Sequence, residues 1–94
     1  MATGNGYQVY RRASNVVARA VRDEVVLLDL ATERYLALDQ VGSRVWSLLD
    51  GEHSRDRIAD AIAVEYAAPI ERIRADVDDF LEQLSALGLV EGLS

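Results

Sequence analysis

Residues 16–38 read VVARAVRDEVVLLDLATERYLAL, and the rest of the chain is best understood around them. Residues 16–21 (VVARAV) and 24–30 (EVVLLDL) are rich in β-branched residues and leucine, with Arg22-Asp23 between them. That composition and spacing predict two strands joined by a tight turn. Residues 34–38 (RYLAL) make a third short strand after the turn Ala31-Thr32-Glu33. Three short strands do not stand alone in water, so one face of this sheet needs cover.

The cover comes from the residues that follow. Asp39 is a good N-cap, and Val41, Val45, Leu48 and Leu49 recur on one helical face, with Trp46 flanking them. Gly51 suits the left-handed residue that stops this helix. Ser54 caps a second helix, lined by Ile58, Ala61, Ile62 and Tyr66, with Asp56 placed well against its dipole. Pro69 is the only proline and fits the first turn of a third helix. Ile70, Ile73, Val77, Phe80, Leu81, Leu84 and Leu87 form its stripe, the longest in the chain. Gly88 ends it, and Leu89 can fold back onto Leu84. The expected fold class is therefore α+β and winged-helix-like: an N-terminal three-stranded antiparallel sheet followed by three helices. Residues 1–15 are expected to be a flexible N-terminal segment, and residues 16–94 the one domain.

Composition narrows the function. The chain has 94 residues, half of them hydrophobic, which suffices for one core. It has no Cys, so disulfides, thiolate metal sites and thiol nucleophiles are excluded. No apolar run approaches the roughly 20 residues that span a bilayer. The start lacks the apolar segment of a secretory signal, and a cytoplasmic protein without membrane attachment is expected. The net charge is −6, and all ten basic residues are Arg. Residues 1–22 hold four Arg and no acid; residues 23–94 hold six Arg and sixteen acids, a balance of −10. An acidic body repels a phosphate backbone and attracts basic peptide.

Catalysis by this chain alone is not expected. His53 is the only His and lies in a polar connection, a poor metal site and a poor base. Asp76, Asp78 and Asp79 cluster in sequence, but a helix sets Asp76 and Asp78 about 200° apart. They read as a solvated face. No Gly-rich phosphate loop follows a strand. No metal and no cofactor is expected. A winged-helix DNA-binding regulator was the natural alternative for this element order, but the third helix carries Glu71, Asp76, Asp78, Asp79 and Glu82 against Arg72 and Arg74. A recognition helix needs the opposite balance, so no nucleic-acid partner is expected.

Peptide binding remains. The third strand, Arg34-Tyr35-Leu36-Ala37-Leu38, has no Pro and little charge, so its edge is open to an added strand. Ile73 and Phe80 lie on one flank of the third helix's stripe, with Arg72 and Asp76 just beyond. Such a helix beside the third strand makes a groove with an apolar floor and a polar lip. The plain alternative is that Ile73, Val77, Phe80 and Leu84 are core.

From residue 24 to residue 91 the chain resembles the PqqD-like family, the small recognition domains of ribosomally made, modified peptides. The matching stretches are VVLLDLATERYLALDQVGSRVWSLLDG (25–51), SRDRIADAIAVEY (54–66) and RADVDDFLEQLSALGLVE (74–91). Glu33 departs from the pattern, standing where Gly is frequent. The resemblance implies a non-catalytic domain that binds the leader of a precursor peptide as an added strand. It is most like the stand-alone leader-binding protein of lasso-peptide biosynthesis, which presents the precursor to a separate leader-cleaving cysteine protease and then a cyclase. A peptide chaperone serving a radical SAM enzyme is the near alternative. The resemblance nominates Arg34, Tyr35, Leu36, Ala37 and Leu38 for strand pairing and Ile73, Asp76, Val77, Phe80 and Leu84 for the groove wall. Leu28 and Leu30 are expected to floor it, and Asp76 or Arg72 to fix register. The open edge also allows a weak edge-paired dimer beside the monomer.

Overall fold

The computed structural model describes residues 7–93. Strands β2 (Val16–Val21), β3 (Glu24–Asp29) and β4 (Arg34–Leu38) form one antiparallel sheet in the order β2-β3-β4. The Arg22-Asp23 turn is tight, with Arg22 at φ 59°. The β3–β4 turn is held by Asp29. Its carboxylate accepts from the Asn15 amide at 2.8 Å, the Ala31 N–H at 3.0 Å and the Thr32 hydroxyl at 3.0 Å. Glu33 sits at φ 61°, a conformation that favours Gly, so the departure from the family pattern falls on a strained residue.

Helices α1 (Gln40–Ser47), α2 (Arg55–Tyr66) and α3 (Ile70–Ala86) follow. The expected caps form: the Asp39 carboxylate accepts from the Gly42 N–H and the Ser54 hydroxyl from the Arg57 N–H. Pro69 stands one position earlier than expected, at the N-cap of α3. The end of α3 closes as the sequence implies. Gly88 is left-handed at φ 73°, its N–H donates to Ser85, and the Leu89 N–H reaches back to the Leu84 carbonyl at 2.9 Å.

Three expectations need correction. The segment 1–15 is not loose throughout: Val9–Arg12 is a strand, β1. It runs between β5 (Asp50–Ser54) and β6 (Val90–Leu93) in a second antiparallel sheet, in the order β5-β1-β6. Residues 1–6 lie outside the described residues. Gly51 does not stop α1. That helix ends at Ser47, and Gly51 lies within β5 at φ 85°. The fold thus has two three-stranded sheets where one was expected, within the same α+β class.

The core forms where the helices meet the first sheet. Leu27, Leu49, Ile58, Ile62, Leu81 and Leu84 are essentially inaccessible. Along β3, Leu27 and Asp29 turn toward the helices, so by alternation Val26 and Leu28 face the other way. Ala67 closes α2 in the left-handed region, at φ 50°. An alanine pays about 1–2 kcal/mol there. Ala67 is exposed, so Ala67→Gly is expected to raise stability by about 1 kcal/mol after the entropy of the unfolded glycine is counted. For a chain of this size that is about 4–8 °C in the midpoint of thermal unfolding.

Candidate functional site

The candidate site lies along the free edge of β4. Among the described residues no strand follows β4 in its sheet. Which of its backbone groups are free follows from its neighbour. The Val25 N–H donates to the Ser43 hydroxyl at 3.0 Å, and that hydroxyl donates to the Leu38 carbonyl. The Asp29 carbonyl accepts from Glu33 at 2.7 Å. Odd positions of β3 therefore turn their backbone toward β4, and their partners Leu36 and Leu38 answer them. By the alternation of an antiparallel pair, Tyr35 and Ala37 point their N–H and C=O groups outward.

Helix α3 runs antiparallel to β4 beside this edge, and two cavities flank it. The first, about 270 Å³, lies between α1 and the N-terminal half of α3. Val41, Val45, Ile73, Val77 and Phe80 give it apolar walls, and Asp39 and Asp76 stand exposed at its mouth. The second, about 350 Å³, lies between β3–β4 and the end of α3, among Leu27, Leu36, Leu87 and Leu89, with Arg34 and Tyr35 at its opening. Phe80 packs on α1 where Gly42 leaves room. A Cβ added at Gly42 falls 3.4 Å from the Phe80 ring and 3.1 Å from the Asp39 carboxylate.

The structure brings together Ile73, Asp76, Val77 and Phe80 around the first cavity and Arg34, Tyr35 and Leu36 around the second. It separates others. Leu84 is fully buried, which makes it core rather than wall. Leu38, expected to pair with the added strand, turns its backbone groups toward β3 instead, as Arg34 and Leu36 do. Arg72 is exposed and borders neither cavity. Leu28 does not floor the groove. It lies on the opposite face of the sheet with Val17, Val26 and Tyr35. Leu27 takes the inner place, because side chains alternate along a strand. Leu30 is 55% exposed in the turn after β3. The α1 wall and Leu87 were missed. Val41, Val45 and Leu87 lie on apolar stripes legible in the sequence, whereas nothing there marks Gly42 as the contact for Phe80.

Electrostatics around the site is mostly structural. Arg55, 3% exposed, bonds Asp78 on α3 and the Tyr10 side chain. Desolvation pushes the Arg55 guanidinium down, but the bonds to Asp78 and Tyr10 outweigh it and hold the group protonated. Asp78 is therefore an anchor of α3 and not simply a solvated residue. Arg12 lies 5.5 Å over the Trp46 ring and donates to the Trp46 carbonyl. The bond from His53 depresses the Asp50 carboxyl most, and with the Glu52 and His53 N–H groups it brings it to about 2. Among the described residues no group of three or more His, Asp or Glu side chains is placed to hold a metal ion. No helix there is long and apolar enough to cross a membrane.

The Asn15 amide, followed by the Ala31 N–H, also lowers the Asp29 carboxyl. A depressed carboxylate stabilises the fold above its unfolded value of 3.8, and that contribution fades as pH falls through the folded value. Asp29→Asn is therefore expected to be least stable relative to wild type near neutrality. The gap should narrow below about pH 4, as urea unfolding at a series of pH values will read.

Comparison with known proteins agrees with this architecture. The PqqD family model, described as coenzyme PQQ synthesis protein D, matches residues 24–90. A PqqA binding protein from Rhizobium meliloti (strain 1021) is 41% identical over 71 residues, 76% of this chain and 70% of the relative. A second, from Bradyrhizobium diazoefficiens, is 41% identical over 61 residues, and the match spans 59% of its length. Among solved structures, TbiB1 in complex with the TbiA(beta) leader peptide superposes with a TM-score of 0.82 at 42% identity, over 89% of this chain and 98% of that one. The PqqD truncation of Methylobacterium extorquens PqqCD, a stand-alone recognition element for ribosomally synthesised and modified peptides, gives 0.76 at 31% identity over 93% of each chain. The fold is thus that of the small recognition elements of modified-peptide synthesis. The chain belongs to the PqqD family.

Proposed function

We propose that this chain binds the leader segment of a ribosomally made precursor peptide of the lasso type as a fourth strand on β4. Carrying no catalysis of its own, it presents the precursor in the cytosol to a separate leader-cleaving protease and then a cyclase. The observation that carries this reading is the open edge of Tyr35 and Ala37 beside the α3 cleft. The 42% identity to TbiB1, a protein solved with a leader peptide, supports leader binding. Backbone bonds along the edge contribute about 0.5–1.5 kcal/mol each. Apolar leader side chains in the two cavities add about 25 cal/mol per Å². Ordering a free peptide offsets part of this, so the expected Kd lies between about 10 nM and 10 μM.

Titration calorimetry with the synthetic leader of the precursor encoded beside the gene tests the reading. Saturable one-to-one binding is expected. Phe80→Ala should weaken it about 10–100-fold, because the ring walls the first cavity and packs on α1 at Gly42. A variant folded by circular dichroism that binds unchanged would count against the cleft. The 41% identity to PqqA binding proteins favours a second reading, a peptide chaperone for a radical SAM enzyme. Tighter binding of a PqqA-type peptide than of the lasso leader would decide for it.

A further inference from the structure

The two cavities differ in the sign of charge at their mouths, and they sit at opposite ends of β4. At the Leu38 end the mouth carries Asp39 and Asp76, both exposed. Asp39 spends one oxygen on the Gly42 N–H, and Asp76 makes no ion pair among the described residues. The Arg34 end is the reverse. Asp29 also borders that cavity, but it is buried and engaged by Asn15, Ala31 and Thr32. Arg34 is the charge left at the opening, exposed and without an ion pair among the described residues. It stands directly across from Asp29 in the β3–β4 register, yet the two lie beyond salt-bridge distance.

We infer that the cleft reads the charge polarity of its peptide, taking a basic residue at the Asp39–Asp76 end and an acidic residue at the Arg34 end. The occupant is the extended leader segment of the proposed function, and this inference rests on that reading. Every strand pair in the sheet is antiparallel. An added strand continuing that pattern runs from Leu38 toward Arg34, so its basic residue precedes its acidic one. The apolar walls suit this arrangement. A Lys or Arg stem can lie along Val41, Ile73 and Phe80 while its head reaches the two carboxylates. Charges at a rim add specificity and direction more than affinity. They give the edge a preferred orientation that backbone bonding alone supplies only weakly.

Three synthetic peptides test this: the leader of the precursor encoded beside the gene, and two versions with the ends of its strand-forming segment replaced. One carries Lys before and Glu after; the other carries Glu before and Lys after. Fluorescence anisotropy on the full chain, at about 25 mM and 200 mM salt, reads the affinities. The Lys-first version is expected to bind about ten-fold more tightly at low salt, with the difference shrinking at high salt through screening. The double variant Arg34→Glu with Asp76→Arg should invert the preference. Both positions are exposed, so the fold is expected to hold, and circular dichroism checks it. Equal binding of the two versions, or a preference the double variant leaves unchanged, overturns the inference while leader binding stands. If the unaltered leader fails to bind, the proposed function falls, and this inference falls with it.

Discussion

Tyr10→Ala is expected to cost about 3–5 kcal/mol, a large share of the roughly 5–10 kcal/mol that hold a chain of this size folded. Tyr10 lies at the middle of β1, 8% exposed, between β5 on one side and β6 on the other. Its ring belongs to the main core cluster with Leu49 and Ile58. Its side chain also bonds Arg55, whose guanidinium is buried against Asp78 of α3. Truncation therefore opens a cavity and takes a partner from a buried cation, two losses that compound. Urea unfolding followed by the fluorescence of Trp46, the only tryptophan, reads the change. Tyr10→Phe keeps the ring and should cost only about 1–3 kcal/mol. A chain begun at residue 16 loses β1 altogether and is expected not to fold. Stability of Tyr10→Ala within 1 kcal/mol of wild type would show that β1 is an appendage.

That strand was hidden in the sequence for physical reasons. Val9-Tyr10-Arg11-Arg12 is only four residues long, follows a polar Gly-bearing run, and carries two charges. Neither alternation nor β-branching announces it. It exists because β5 and β6, both distant in sequence, lie on either side of it. β5 is less legible still. Asp50-Gly51-Glu52-His53-Ser54 has no residue of high β propensity, and Asp50 ties the segment by accepting from the Glu52 and His53 N–H groups. Pairing between distant segments overrode local propensity. The first sheet and the helices were legible because each signal there is local: a two-residue turn, an N-cap, a left-handed glycine.

The site was legible to the same limit. Periodicity placed Ile73, Val77 and Phe80 on one face of α3, and they do line the first cavity. It cannot tell a wall residue from a core residue on the same stripe, and so Leu84 was read as wall although it is wholly buried. Leu28 failed for another reason. A shift of one position along a strand carries a side chain to the other face, and Leu27 stands where Leu28 was expected. Burial parity is set by the whole sheet packing on the helices, which a run of four apolar residues, Val25 to Leu28, does not disclose.

The strand-addition reading makes a sharper demand on Ala37 than on any cleft residue. Ala37→Pro should leave the fold intact while reducing leader binding at least fifty-fold. The Ala37 N–H points away from β3, so a proline there removes no bond of the existing ladder. Edge strands tolerate proline on their outer side for that reason. The proline deletes one of the two outward donors and sets its ring where an added strand must approach. The lost bond accounts for about 0.5–1.5 kcal/mol, and the displaced strand for the rest. The same substitution on the opposite edge is the control. Ala18 faces outward on β2 by the same alternation, and Ala18→Pro is expected to change leader affinity by no more than about two-fold. Calorimetry with the leader peptide separates the cases. Loss in Ala37→Pro alone places the added strand on β4. Loss in Ala18→Pro alone moves it to β2. Full binding by both folded variants means the leader does not add as a strand, and its affinity comes from the cavities along α3.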